Sequence, residues 1–275
     1  LGGITRKVTL FAVPDVHISD LRIVTELDEQ YKDAELKVYL AVTNAGKETE
    51  KNIAARLSIG GLPVVLDQVI PELSPGQTWT GWLIGKVADP RKWDNEHPYL
   101  YTLTCRLKDG KKVLHETVRR VGFRQVEVRG NQMYINNMPV KLRGVCRHEV
   151  MPLRGRSVND GMWRKDVELF RRGNVNYIRT SHYPPDEALL EACDELGMLV
   201  EVEAPFCWAH NTNVPEEMHD AVLVNQHVEM VNLNRSHPSV IMWSLGNESL
   251  KYAEYFKKAG EVVKQMDPTR PRIFS

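Results

Sequence analysis

The sequence predicts two units of different fold class, an all-β immunoglobulin-like sandwich followed by the first half of a (β/α)8 TIM barrel. Residues 16–124 consist of short runs that alternate apolar and polar residues, whereas residues 125–275 alternate strand-like and helix-like segments. About seven short strands with a period of two are typical of a β-sandwich. Repeated βα units imply right-handed crossovers and a parallel sheet. A length of 275 residues also suits two domains.

The predicted sandwich is defined by runs in which alternate residues are apolar. They read HISDLRIVTEL, AELKVYLAVTN, IAARLSI, PYLYTLTCRL and KVLHETVRRVGF. Turn residues separate them, at Asn44–Gly46, Gly60–Gly61, Ser74–Gly76 and Lys108–Gly110. Since the sequence has no Cys…Trp…Cys signature, the likeness to an immunoglobulin domain is one of architecture only.

The predicted half-barrel begins with a hairpin that turns at Asn136–Asn137 and runs into a strand over residues 140–146. Further strands are expected at 176–180, 198–203, 240–246 and 272–275, and helices at 162–172, 186–196, 218–235 and 252–266. We therefore expect a truncated barrel with an unpaired sheet edge, which would favour self-association. Residues 1–15 are expected to form a lone strand without a partner hairpin.

Composition excludes several classes of partner. Lys+Arg and Asp+Glu both number 36, so the formal net charge is zero and neither nucleic acid nor an anionic membrane is expected to bind. The sequence contains no apolar stretch of membrane-spanning length. Its four cysteines form no CxxC pair and no zinc-type cluster, and we expect them to be buried as small apolar side chains. The compartment does not follow from these features.

The run HPSVIMWSLGNES, residues 237–249, carries the strongest functional signal. Its apolar stretch predicts a strand covered on both faces, with Asn247 and Glu248 at the carboxyl end, where barrels of this type place their chemistry. Burial raises the pKa of a carboxyl group, which would suit Glu248 to act as a general acid. The alternative is that Glu248 merely caps the helix that begins near Ser249.

Two further strand ends carry polar residues that an ordinary core would avoid. RGVCRHE spans residues 143–149, and RTSHYP spans residues 179–184. Each follows a predicted barrel strand, so both should converge with Asn247 and Glu248 on one mouth of the barrel. A single histidine at a strand end is usually structural, but three converging polar ends favour a functional site.

Together RGVCRHE, IRTSHYPP and HPSVIMWSLGNES resemble glycoside hydrolase family 2, the family of β-galactosidases and β-glucuronidases. The resemblance covers essentially the whole chain. It implies that residues 1–15 are the last strand of a jelly-roll sugar-binding domain, 16–124 the immunoglobulin-like domain and 125–275 the first half of the catalytic barrel. It also implies a carbohydrate substrate, in particular a β-galactoside, with no cofactor, and a homo-oligomer is compatible with it.

The resemblance assigns roles to five residues in a retaining mechanism that uses two carboxyl groups. Glu248 would be the general acid/base, and Asn247 would bind the 2-hydroxyl of the sugar. His148 and His182 would bind other sugar hydroxyls. Arg179 would pair with the nucleophilic carboxylate and keep it ionised.

The same resemblance places the nucleophile after the seventh barrel strand, beyond Ser275. Glu203 and Glu149 lie on strands close to the fourth, so neither is expected to face Glu248 across a sugar ring. We expect both to be hydrogen-bonding or site-wall residues and the chain by itself to be inactive. Trp243 is expected to belong to the barrel core rather than to a sugar platform.

Two departures from the family pattern concern metal and sugar. Some members bind magnesium just after the third strand, where this chain has Cys207 near the expected glutamate. A thiol is a poor ligand for a hard cation, so no metal is predicted there, and His210 alone is weak evidence for one. Gly246, before Asn247 and Glu248, favours the β-galactosidases over the β-glucuronidases.

Two alternatives stay open at this stage. A β-glucuronidase would need a cation for the carboxylate of its sugar, and the sequence alone assigns no residue to that role. A non-catalytic carbohydrate-binding or scaffold module would not need an acid/base such as Glu248, which argues against it.

Overall fold

A computed structural model describes residues 4–209 and 213–275, in two compact units. The first unit comprises residues 8–92 and 99–124, and the second comprises the described residues before Val8 together with 93–98 and 125–275. The segment 93–98 lies within the predicted sandwich range but packs with the second unit.

The first unit is a sandwich of two antiparallel sheets. Its strands are β1 (Val16–Leu27), β2 (Ala34–Asn44), β3 (Ile53–Ile59), β4 (Val65–Val69), β5 (Thr78–Val87), β6 (Tyr101–Asp109) and β7 (Lys112–Val121). One sheet has the order β1-β2-β5 and the other β4-β3-β6-β7. Alternate residues of β2, such as Leu36, Val38 and Leu40, are fully buried, as the period of two predicts. The predicted sandwich is confirmed.

A small antiparallel meander opens the second unit. It contains β8 (Val126–Arg129), β9 (Gln132–Ile135) and β10 (Met138–Val140). The turn between β9 and β10 lies at Asn136 and Asn137, as predicted, and both residues have positive φ angles, of 50° and 67°. Asparagine tolerates this left-handed conformation, which a two-residue hairpin of this hand requires.

A parallel sheet with sequential strand order follows the meander. It consists of β11 (Gly144–Arg147), β12 (Tyr177–Thr180), β13 (Leu199–Glu203), β14 (Val240–Ser244) and β15 (Arg272–Ile273). The helices that connect these strands are α1 (Asp160–Arg172), α2 (Glu187–Leu196), α3 (Asn225–Asn234) and α4 (Ala253–Met266). This arrangement confirms the predicted half-barrel and brings the carboxyl ends of β11 to β14 to one edge.

Three details differ from the sequence prediction. The predicted helix 218–235 is interrupted, because a 3₁₀ turn (Glu216–Met218) and a π-turn (Asp220–Val224) precede α3; this change of pitch accompanies the full burial of Leu223 and His227. The predicted strand 140–146 is divided between β10 and β11. Cys146 is exposed, unlike the buried Cys105 and Cys193, so the prediction of four buried cysteines is wrong.

Residues 4–15, the described part of the predicted first strand, contain no helix or strand. The assignment of this segment to a preceding domain stays a prediction. Among the described residues, no helix has both the length and the apolar character needed to cross a bilayer.

The turn between α4 and β15 is held by a buried ion pair. Asp267, at the end of α4, accepts hydrogen bonds from Arg270 (2.6 Å) and from the indole of Trp243 (2.9 Å). Arg270 also donates to the backbone carbonyls of Val240, Arg235 and His237, which lie before and within the start of β14. One guanidinium therefore joins three segments at the amino-terminal side of the sheet.

Neutralising Asp267 should destabilise the parallel-sheet unit. Burial alone would raise the pKa of Asp267. The charge of Arg270 and the hydrogen bonds that Asp267 accepts outweigh that effect and lower the pKa of Asp267 to about 2. The folded pKa thus lies below the unfolded value, so the stabilisation is fully present above about pH 4 and is lost as the pH falls towards 2. We expect Asp267→Asn to cost roughly 2 kcal/mol at pH 7 and much less at pH 2.5, measured by urea denaturation. Asp220→Asn, at an exposed ion pair with Lys258, is the control, and an equal cost at both pH values for Asp267→Asn would contradict this account.

Candidate functional site

The centre of the candidate site is the fully buried carboxylate of Glu203, at the end of β13. Arg179, on the adjacent β12, donates to Glu203 Oε2 through Nε at 2.6 Å and through its terminal nitrogen at 2.5 Å. Ser244, at the end of β14, donates to the same oxygen at 2.9 Å. His182 Nδ1 lies 2.6 Å from Oε1, and the backbone N–H of Glu203 donates to the hydroxyl of Thr180. The carboxylate therefore joins three strands and the loop after β12.

Arg179 also fixes the amide of Asn247. Its terminal nitrogen donates to Asn247 Oδ1 at 2.9 Å, while Asn247 Nδ2 lies 3.6 Å from the sulfur of Cys207. Burial of Arg179 alone would lower its pKa, but the hydrogen bond and the charge of Glu203 outweigh that effect and raise it. Asn247 is itself buried, so its orientation is set before any ligand binds.

Glu248 is exposed, in contrast to its neighbour Asn247. The expectation of a buried Glu248 is wrong, because the chain leaves the sheet after Ser244 and Glu248 adopts a left-handed backbone with φ of 47° at the outer edge. Its Oε2 accepts a hydrogen bond from the indole N–H of Trp208. At the start of the helical segments that follow, Ser249 and Tyr252 make no capping hydrogen bond through their own side chains, and the alternative of a cap by Glu248 stays a prediction.

The two histidines of the predicted site lie together. The rings of His148, which follows β11, and His182, which follows β12, are 5.3 Å apart and nearly perpendicular. Partial desolvation lowers the pKa of His148, and the nearby Arg156 guanidinium and His182 ring act in the same direction. A neutral imidazole can both donate and accept hydrogen bonds, which suits a group that meets hydroxyls.

Glu149 does not reach the network around Glu203. It is buried and accepts hydrogen bonds from the backbone N–H of Asp186 (2.8 Å) and from Arg6 (2.9 Å). Arg6 also donates to the carbonyl of Pro184 at 2.5 Å. Glu149 is thus a structural anchor for the loop that carries His182, in agreement with the hydrogen-bonding role predicted for it.

A second buried carboxylate, Glu201, lies one layer below Glu203 on the same strand. It accepts a hydrogen bond from the hydroxyl of Tyr177, and its Oε1 lies 3.6 Å from Arg179 Nε. Burial raises the pKa of Glu201. Sequence reasoning missed Glu201 and Tyr177, although charged or phenolic residues at alternate positions of two short barrel strands were a signal for them.

Trp243 and Trp208 have opposite surroundings. Trp243 is fully buried and donates to Asp267, as its predicted place in the core requires. Trp208 is 55% exposed and lies beside Glu248, a position that sequence reasoning did not single out.

The predicted absence of a metal concerns the loop after β13. Burial raises the pKa of the Cys207 thiol, which keeps it protonated and a poor ligand. His210 lies outside the described residues. In the described ranges 4–209 and 213–275, no three His, Cys, Asp or Glu side chains gather in a way that could hold a metal ion.

Comparison with known proteins identifies the family of both units. The family model described as "Glycosyl hydrolases family 2, TIM barrel domain" matches residues 126–275, and the model "Glycosyl hydrolases family 2" matches residues 16–124. The chain is 33% identical to a β-galactosidase of Thermoanaerobacter pseudethanolicus over 98% of this chain and 36% of that protein. It is 35% identical to a β-galactosidase of Aeromonas hydrophila, over 98% of this chain and 27% of that protein.

Among solved structures, a β-glucuronidase of Bacteroides uniformis matches with a TM-score of 0.85 and 29% identity, over 95% of this chain and 34% of that chain. The chain thus spans about a third of the length of the relatives it matches. Two family models together cover nearly all of its residues, and both β-galactosidases are at least 33% identical to it over 98% of its length, so this chain belongs to glycosyl hydrolase family 2.

Proposed function

We propose that this chain carries the acid/base half of the active site of a retaining β-galactosidase. The observation that carries the proposal is the pair formed by Asn247 and Glu248 at the carboxyl end of β14. The amide is buried and fixed by Arg179, whereas the carboxyl group is exposed where a substrate could reach it. Glu248 would protonate the leaving glycosidic oxygen and then deprotonate the incoming water.

Asn247 is suited to bind the 2-hydroxyl of the sugar. Its carbonyl oxygen is already held by Arg179, so the amide nitrogen is the end that meets a ligand. That nitrogen faces the sulfur of Cys207, which is a weak acceptor, and a sugar hydroxyl would be a stronger one. A contact that shortens as the sugar ring flattens would stabilise the transition state more than the ground state.

His148 and His182 are suited to bind sugar hydroxyls. Glu203 holds Nδ1 of His182 at 2.6 Å, which fixes the orientation of the ring, and His148 lies against His182 edge-on. Fixed orientation reduces the entropic cost of binding a flexible substrate.

We further propose that the nucleophilic carboxylate is not among these residues. Glu203 is fully buried and engaged by Arg179, Ser244 and His182, so it is not able to reach an anomeric carbon. Glu149 is engaged by Arg6 and Asp186. Arg179 would then act on the nucleophile only as a second neighbour, because its described hydrogen bonds go to Glu203 and Asn247.

A neutral sugar is supported by the arginines at the strand ends. Arg147 pairs with Asp166 at 2.7 Å and Arg179 pairs with Glu203, so both charges are already compensated. The curated relatives named above as β-galactosidases agree with this choice. The preference for a β-galactosidase drawn from Gly246 stays a prediction; its φ of 148° and the 3.3 Å approach of Phe206 to an added Cβ also favour a glycine at this position for reasons of backbone geometry.

The second candidate is a β-glucuronidase, and Arg156 favours it. This guanidinium lies over the ring of Tyr183, near His148, and its buried Nε has no hydrogen-bond partner within the part of the chain that the structure describes. A sugar carboxylate bound beside His148 would find a cation there. The β-glucuronidase of Bacteroides uniformis shares the fold of this chain.

The first prediction tests the role of Glu248 in a protein extended through a complete catalytic barrel. Glu248→Gln should lower kcat/KM for a phenyl β-galactoside about 10²- to 10⁴-fold, because a poor leaving group needs protonation. A dinitrophenyl β-galactoside, whose leaving group needs none, should lose far less in its first chemical step, measured as burst kinetics. Glu254→Gln, at an exposed position of α4, is the matched control. Equal losses on both substrates would exclude Glu248 as the acid.

The second prediction concerns the 275-residue chain by itself. It should release no nitrophenol from either the β-galactoside or the β-glucuronide, whereas the extended protein should prefer the β-galactoside. Turnover by the isolated chain would show that a carboxylate within these residues completes the site. A preference of the extended protein for the glucuronide that Arg156→Met reverses would establish the second candidate instead.

A further inference from the structure

Trp208 is tied by its backbone to the strand end that carries the proposed acid/base. Its N–H donates to the carbonyl of Asn247 at 3.1 Å, and the N–H of Asn247 donates to the carbonyl of Phe206 at 2.7 Å. An isolated parallel bridge, between Cys207 and Asn247, therefore joins the loop after β13 to the segment after β14. This pairing gives the loop a fixed position at the mouth of the sheet.

The backbone of Trp208 is in an uncommon conformation. Its φ is +54°, in the left-handed region that bulky residues rarely adopt, and Glu248 has a φ of +47°. These two conformations bring the indole N–H onto Glu248 Oε2. Unfavourable backbone angles of this kind persist where surrounding contacts fix them, and they concentrate at functional sites.

The indole of Trp208 presents a large apolar surface to solvent. Trp208 is 55% exposed, whereas Trp93, Trp163 and Trp243 of the same unit are buried. Its polar edge is already satisfied by Glu248, so the face of the ring is what remains for a ligand. An exposed aromatic ring with a fixed polar edge is suited to stack against another ring.

We propose that Trp208 is both a positioning residue for Glu248 and the platform on which the ring of the leaving group stacks. This inference rests on the proposed acid/base role of Glu248. The leaving group would be a cyclic one, an aryl ring or the apolar face of a second sugar, rather than a small alkyl group.

Solvent exposure increases from Glu203 towards Glu248 and Trp208. This increase places the indole of Trp208 on the side of the leaving group. Glu203 is fully buried, Asn247 is 8% exposed, and Glu248 and Trp208 are exposed in turn. The groups proposed to hold the cleaved sugar lie at the buried end of this series. Glu248 touches the glycosidic oxygen in the proposed mechanism, so Trp208, which is hydrogen-bonded to Glu248 and is also exposed, meets what lies beyond that oxygen.

The test separates the ring from its N–H in the extended protein. Trp208→Phe keeps a ring but loses the hydrogen bond, so we expect kcat for a phenyl β-galactoside to fall about tenfold with KM little changed. Trp208→Ala loses both, so KM for the phenyl β-galactoside and for a β-linked disaccharide should also rise about five- to tenfold. KM for methyl β-galactoside, which offers no ring, should stay unchanged. Trp82→Ala, at a half-exposed tryptophan of the sandwich, is the control.

A binding measurement guards against loss of folding. Titration with a non-hydrolysable phenyl thiogalactoside should change the tryptophan fluorescence of the wild type and of Trp82→Phe, but not that of Trp208→Phe. The proposal is overturned if Trp208→Ala raises KM equally for the phenyl and methyl substrates, or if Trp208→Phe retains the fluorescence change. Glu248→Gln is measured alongside these variants. If Glu248→Gln kept full activity, the proposed acid/base role of Glu248 would have failed, and not only the proposed role of Trp208.

Discussion

The site depends on the buried ion pair between Glu203 and Arg179. A carboxylate without any exposed surface is costly unless it is paired and hydrogen-bonded, and Glu203 meets both conditions through Arg179, Ser244 and His182. These partners come from β12, β14 and the loop after β12. The same interaction that neutralises the charge therefore sets the relative positions of three strand ends. Removing one partner would leave an uncompensated charge inside the sheet.

This constraint explains why the proposed chemistry lies at the rim of the sheet. The inner carboxylates Glu203 and Glu201 are occupied by Arg179 and Tyr177, so they are fixed and not accessible. Arg179 also donates to the amide of Asn247 and so fixes the position of that residue. Glu248 is the next residue in the chain, so its backbone is held in place while its side chain remains exposed. A rigid interior thus supports a reactive group that solvent and substrate can reach.

Sequence periodicity predicted the elements better than it predicted their surroundings. Alternation in β2 reports one buried face, and the order of strands and helices after residue 125 reports a parallel sheet, so both units were predictable. The exposure of Glu248 and Cys146 was not predictable from the sequence. Their exposure depends on how the chain leaves the strand and on what covers each face of the sheet. The interrupted helix before α3 was missed for a related reason. Its apolar spacing is continuous, while its backbone pitch is set by the core that receives Leu223 and His227.

The two tryptophans near β14 show why a residue type alone does not decide a role. Trp243 and Trp208 both donate an indole N–H to a carboxylate, Asp267 and Glu248 respectively. Around Trp243 the ring face is buried as well, so the contact contributes to stability, and Arg270 completes the ion pair. Around Trp208 the face is open, and its carboxylate partner is the proposed acid/base. The same hydrogen bond that anchors a core side chain in one place therefore holds an exposed ring beside a reactive group in the other, and only the burial of the ring distinguishes the two.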